Sequence, residues 1–185
     1  MTIAIMSSGR TFDVAKPHPS MVHFADLGAH LAKLCRFHGA PAQFYSEAQH
    51  AVIVAGEAAK LDGPLAALYG LLHNADRAFD CGDELTRANV RRVIHEALDL
   101  DWPAPGAILK AVAQVHARVD LSEKQQLLAG RQGEADQAIR AGIWPLRFII
   151  KPLTWDRALD RWIETLRSNA IAANIPHLAS LAGLL

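Results

Sequence analysis

The sequence predicts an all-α fold, a compact single-domain helical bundle, and three observations carry that reading. Apolar residues recur at spacings of three and four along most of the chain. The helical runs are punctuated by capping residues at their starts and by glycine or proline at their ends. No segment alternates apolar and polar residues as a half-buried strand would, and there is no repeat or low-complexity tract. The chain has 185 residues and 51% apolar content, enough to bury one sizeable core and short for two, so residues 1–185 are read as one domain.

Its parts follow in order. Residues 1–22 include GRTFDVAKPHPSMV, whose two prolines and isolated apolar pair suit an extended arm lying on the helices. Core helices are expected over residues 23–130. Phe24, Leu27, Leu31 and Leu34 form the stripe of a first helix over about 24–38, stopped by Gly39 and Pro41. Ser46 followed by Gln49 reads as a capping box opening EAQHAVIVAGEAAK, which Asp62, Gly63 and Pro64 close. Pro64 then begins PLAALYGLLHNADRAF, with Leu65, Leu68, Leu72 and Ala75 on one face. Further helices are predicted from Glu84 to Leu98 and from Ala104 to Leu128, the latter with Ile108, Val112, Val115 and Val119 as its stripe. Residues 131–185 resume helical patterning after Gly133, are interrupted by the two prolines of IWPLRFIIKPL, and close on the helix TWDRALDRWIETLR.

Charge and cysteine usage exclude several classes. Lys plus Arg and Asp plus Glu are equal at 19 each, so there is no electrostatic case for an extended nucleic-acid groove or an anionic membrane surface. Cys35 and Cys81 are far apart and outside any CxxC pattern, which suggests neither a disulfide framework nor a cysteine zinc site. No basic leader precedes an apolar run, and no stretch of ~18 apolar residues occurs. A cytoplasmic location without membrane partners is the expectation. Any nucleotide or phosphorylated partner must be held by local groups.

Nine histidines is a rich count. His18, His23, His95 and His177 lie in proline-flanked or charged contexts, where solvation is the default, and no role is assigned to them. His50, His73 and His116 each sit among apolar neighbours on a different predicted helix. A buried imidazole needs a partner, and bundles often supply a cation between facing helices. Separations of 23 and 43 residues match no short metal motif, so spacing alone leaves these histidines as ordinary core residues.

The phrases CRFHGAPAQFYSEAQHAVIVA and LAALYGLLHNADRAF resemble a bacterial and phage branch of the HD-domain phosphohydrolases, which includes proteins similar to the 5'-deoxynucleotidases. SGRTFDVAKPHP resembles the N-terminal arm of that branch, and IKPLTWDRALDRWIETL its closing segment. The resemblance implies a divalent metal held by a histidine, a His-Asp pair and a later Asp, activating water for attack on phosphorus. Carried onto this sequence, the ligands are His50 and His73, both matching. The expected Asp of the pair is Asn74, and the acidic residue three positions further on, implied to assist catalysis, is Arg77. The last ligand, counted back from Ser122 and Glu123, falls on His116, with Asp120 one turn further along the same face as the alternative. Arg36 and Phe37 match a phrase that borders the substrate in relatives, and Asp76 is the remaining carboxylate candidate for a catalytic role.

A metal set of His50, His73, Asn74 and His116 lacks two negative charges of the implied pattern. Affinity for Mg²⁺ or Mn²⁺ should fall, whereas three imidazoles still suit Zn²⁺, Ni²⁺ or Co²⁺. Arg36, Phe37 and Arg77 are the candidate substrate-binding residues, since a guanidinium presents a planar fork to phosphate. The alternative for Arg77 is a surface ion pair with Asp76, Asp80 or Asp83. Three functions remain open: a phosphohydrolase with a retuned metal and altered or weakened activity, a metal-free nucleotide- or phosphate-binding regulatory protein that has lost hydrolysis, and a structural partner subunit. The loss of both carboxylates together with the acidic residue at the position of Arg77 leans toward lost or much weakened hydrolysis. A homodimer is also consistent with the resemblance.

Overall fold

The computed structural model describes residues 3–129 and 132–175. Among them are a two-stranded hairpin and six α-helices. The hairpin pairs β1 (Ile3–Ile5) antiparallel with β2 (Thr11–Asp13), in the register Ile3 with Asp13 and Ile5 with Thr11. The extended N-terminal arm thus pairs with itself as a short hairpin. It is fastened at the turn, where the Ser8 amide and hydroxyl both donate to the buried Asp26 carboxylate at 2.8 and 2.6 Å. The far side of the arm buries Phe12, stacked on Phe79 with centroids 4.2 Å apart, and Val14.

Helix α1 (Phe24–Lys33) stops earlier than its apolar stripe suggests. Leu34 is extended, and the chain at Cys35 forms a bridge with Ser46, with Arg36 N donating to Tyr45 O at 2.8 Å and Glu47 N to Leu34 O at 3.0 Å. Between them Phe37, His38 and Gly39 all have positive φ (54°, 52° and 82°), which makes the tight left-handed turn that returns the backbone. For Phe37 and His38 that conformation costs about 1–3 kcal/mol each.

The central element is α2 (Glu47–Leu72), opened by Ser46, whose hydroxyl accepts from the Gln49 amide at 3.1 Å. It is helical on both sides of a non-helical junction at Asp62 and Gly63. A straight helix would put residues 50 and 73 about 34 Å apart at ~1.5 Å per residue, yet the His50 and His73 Nε2 atoms are 3.2 Å apart. The junction is therefore a reversal, and α2 is two antiparallel limbs, as the capping residues predict. Gly63 supplies the required φ of 74°, and Pro64 starts the second limb, where its missing N–H costs nothing. The limbs approach so closely that a Cβ on Gly70 would lie 3.2 Å from the Ala55 backbone and 3.3 Å from Ala58 Cβ.

The second limb ends at Leu72, short of the predicted end near Phe79, and a 3₁₀ turn (Ala75–Ala78) follows. Helix α3 (Glu84–Glu96) is capped by Asp83, which accepts from the Thr86 amide at 2.9 Å. Helix α4 (Gly106–Leu127) lies on α2 and buries Ile108, Val112, Val115 and Val119, the stripe read from the sequence. After α5 (Gln132–Arg140), residues 144–150 run along α4. Leu146 N donates to Ser122 Oγ at 2.7 Å, Ile150 N to Gln126 Oε1 at 2.7 Å, and Arg118 Nε to Trp144 O at 3.1 Å. Spacings of four on α4 thus hold this non-helical strap by its backbone. Helix α6 (Trp155–Ala172) closes the bundle against α1 and α2, with Trp162 and Leu166 fully buried. No helix among the described residues is long and apolar enough to cross a membrane.

Candidate metal centre

The two limbs of α2 and helix α4 deliver the three histidines that the sequence singles out. His50 stands in the first turn of α2, His73 caps the end of its second limb, and His116 lies midway along α4. Because the limbs of α2 are antiparallel, its first and last turns sit side by side, and α4 packs across them. Ring centroids are 5.1 Å apart for His50 and His73, 5.1 Å for His50 and His116, and 4.9 Å for His73 and His116. One nitrogen from each ring lies within 4.8 Å of the other two.

His73 Nδ1 is 2.7 Å from the Gly70 carbonyl, which can only accept, so this nitrogen carries the ring proton and Nε2 presents a lone pair. His116 Nε2 is buried without a hydrogen-bond partner. Burial, reinforced by Arg36 and by neighbouring imidazoles, holds His50 and His73 well below the ordinary histidine range; burial and then Arg36 also lower His116. Neutral imidazoles whose ring nitrogens converge are what a transition-metal ion requires, and an orphaned buried nitrogen is costly without one. The donor set therefore fits a metal ion.

Behind the triad lies a charge network that composition does not reveal. Glu123, fully buried on α4, receives Tyr45 Oη and Arg36 Nε at 2.6 Å each, and its Oε1 is 2.7 Å from His50 Nδ1. Arg36 also pairs with Glu47 at 3.3 Å and with Asp120 at 2.9 Å. Every nitrogen of this guanidinium is thus committed to a carboxylate. Its other neighbour is Phe37, whose ring lies 4.7 Å from the guanidinium carbon. Burial pushes Glu123 and Glu47 upward, against the downward pull of Arg36. Burial also acts upward on Asp120, but Lys124, 2.8 Å away, draws it below the ordinary carboxylate range.

Beside the triad opens a cavity of about 820 Å³ whose wall includes His116, Asn74, Phe37, Arg77, Arg87 and Lys124. Asn74 follows the end of α2, half-buried, and is not on the helix as predicted. Arg77 is exposed at 42% and pairs with Glu47 and not with Asp76, Asp80 or Asp83. Asp76 is buried and held by Arg87 and Arg91 at 3.6 and 3.8 Å; burial raises it and Arg91 counters. Asp120 turns to Arg36 and Lys124, while His116 faces the other two histidines.

Three polar residues escaped the sequence reading. Glu47 and Glu123 look like solvated helical charges, but each occupies an inward position, three before His50 and four after Val119. That placement was the available signal. His95, expected to be solvated, is buried between Tyr69 and Trp102, with centroids 5.4 and 4.7 Å away, and bonds Arg91 O through Nδ1 at 2.7 Å. His177 lies outside the described residues. Both cysteines are free thiols. No protein-family model matches the chain, and no curated protein matches it.

Proposed function

We propose that the chain is a metal-dependent phosphohydrolase of the HD type, retuned from Mg²⁺ or Mn²⁺ to Zn²⁺, Ni²⁺ or Co²⁺, acting on a nucleotide or another phosphorylated small molecule. The observation that carries the reading is the convergence of His50, His73 and His116, with the buried Nε2 of His116 left without a protein partner. The RF, YSEAQH and LLHNA phrases support the family and the nucleotide. His50, His73 and His116 would hold the ion. When bound, such an ion supplies Lewis acidity toward a phosphoryl oxygen and acidifies water. Arg77, Arg87 and Lys124 line the cavity beside the triad, each paired with a carboxylate (Glu47, Asp76 and Asp120), so a phosphate group would bind there by competing for those guanidinium and ammonium donors. His116 is the one triad histidine on that wall, so a ligand in the cavity meets the triad there.

Phosphate release from deoxynucleotides, measured with a panel of divalent ions, tests the reading. Little or no turnover is expected with Mg²⁺ or Mn²⁺, and turnover with Zn²⁺, Ni²⁺ or Co²⁺. The combined change Asn74→Asp, Arg77→Glu and His116→Asp should raise activity with Mn²⁺. Brisk turnover of the unmodified protein with Mn²⁺, on the order of 1–1,000 per second, would overturn the retuning. A second reading, a phosphate-binding regulatory protein without hydrolysis, is favoured by one observation. Asp76 is engaged by two arginines, and Arg77 stands where the resemblance implies an acidic catalyst. Nucleotide binding by calorimetry with no turnover under any ion would select it.

A further inference from the structure

We propose that Glu123, clamped by Arg36 and Tyr45, is a positioning residue that sets the tautomer of His50 and so aims a bare Nε2 into the histidine triad. The contacts at His50 leave two ways to place the proton of a neutral ring. With hydrogen on Nε2, the 3.2 Å contact to His73 Nε2 is a hydrogen bond, but a bare Nδ1 then faces a carboxylate oxygen at 2.7 Å. With hydrogen on Nδ1, that short contact becomes a charge-assisted bond, about twice as strong as a neutral one, and Nε2 is free to ligate.

The carboxylate cannot turn away from this choice. Its Oε2 is fixed by Arg36 Nε and its Oε1 by Tyr45 Oη, both at 2.6 Å, and Arg36 is itself anchored by Glu47 and Asp120. Two donors that need acceptors leave neither oxygen available to carry a proton toward His50. A hydrogen bond to the far nitrogen of a ligating histidine fixes ring orientation and raises its basicity. Arg36 therefore acts on the site through Glu123. The consequence for metal affinity rests on the metal reading above, whereas the tautomer does not.

Glu123→Gln separates the electrostatic role from packing. Arg36 Nε–H still demands an oxygen, so the amide oxygen turns to Arg36 and the NH₂ group faces Tyr45 and His50. Nδ1 must then accept, and the ring proton moves to Nε2, inside the triad. Long-range ¹⁵N correlation spectra of the metal-free protein read the tautomer directly. Expected are Nδ1–H for His50 in the unmodified protein, Nε2–H in Glu123→Gln, and Nδ1–H again in Glu123→Asp, which keeps the carboxylate. Zinc titration should show affinity reduced ~10- to 100-fold in Glu123→Gln, with a smaller loss in Glu123→Asp. A purely structural role would lower the stability of both variants without moving the proton. Nε2–H in the unmodified protein overturns the proposal even if neither variant folds, as does Nδ1–H persisting in Glu123→Gln. An unmodified protein that takes up no zinc yet shows Nδ1–H would sink the metal reading and leave the tautomer assignment standing.

Discussion

Replacing His116 with leucine should leave the metal-free domain at least as stable as the original and remove most of its stabilisation by zinc. The His116 ring is wedged between α4 and both ends of α2, and its Nε2 is buried with no hydrogen-bond partner. A buried polar atom in that state costs about 1–3 kcal/mol. Leucine is close to histidine in volume and carries no such atom, so the metal-free variant should gain up to about 1 kcal/mol once imperfect repacking is set against the relief. Zinc acts oppositely on the two proteins. A ligand at ~100 times its dissociation constant stabilises the folded state by about 2.7 kcal/mol, or some 5–11 °C at roughly 2–4 °C per kcal/mol for a domain of this size. With His116 gone, two imidazoles remain and the rise should fall to about 2 °C or less. Thermal melts of both proteins with excess zinc and with chelator make the measurement. An unmodified protein whose melting temperature ignores zinc, cobalt and nickel alike would refute the reasoning, as would a leucine variant that keeps the full rise.

Other consequences are open to simpler tests. Because His50, His73 and His116 are held below the ordinary range, they stay neutral in the folded protein while the unfolded chain protonates below about pH 6.5. The unfolded state then binds more protons, so metal-free stability is level above that pH and declines as pH falls below it, by up to about 1.4 kcal/mol per pH unit for each histidine. Urea midpoints from pH 8 to 5 should show a shallower decline in His116→Leu, with one histidine's share removed; identical slopes would contradict the assignment. Arg36→Met strands Glu123 and Glu47 in the interior and should cost about 3–5 kcal/mol in chemical denaturation. A loss below about 1 kcal/mol would show that these buried ion pairs contribute no more than surface ones do. Gly28→Ala places a Cβ 2.8 Å from Cε3 of the fully buried Trp162, so α1 and α6 must part. A destabilisation of about 1–3 kcal/mol should follow, and a neutral result would show that the α1–α6 contact yields easily.

Local chemistry made much of this molecule legible beforehand. Ser46 and Gln49 mark the start of α2, Asp62, Gly63 and Pro64 mark its reversal, and the valines of α4 mark its buried face. These features depend on spacing and backbone preference within a few residues, which sequence carries directly. The candidate histidines were visible for the same reason, as polar residues standing on apolar stripes. Their proximity was implied by the family resemblance and not by spacing, because 23 and 43 residues of chain separate them and only the folding back of α2 under α4 brings the rings to about 5 Å centroid spacing.

The limits of local reading show most clearly in the charged residues. Arg36 reads as a helix-end cation able to meet a phosphate, and Glu123 as an ordinary helical charge 87 positions away. Burial pairs the two, because an ion removed from water must find its counter-charge inside the protein, and the apposition of α4 with the turn after α1 decides which one. The same holds for Arg77, whose partner is Glu47 across the fold, and for His95, sheltered by Tyr69 and Trp102. By itself the sequence determined the helices, their breaks and the residue types offered to the site. Tertiary structure alone decided which charges neutralise one another and which nitrogen lone pairs are left facing each other, because those outcomes depend on distances between segments that no periodicity encodes.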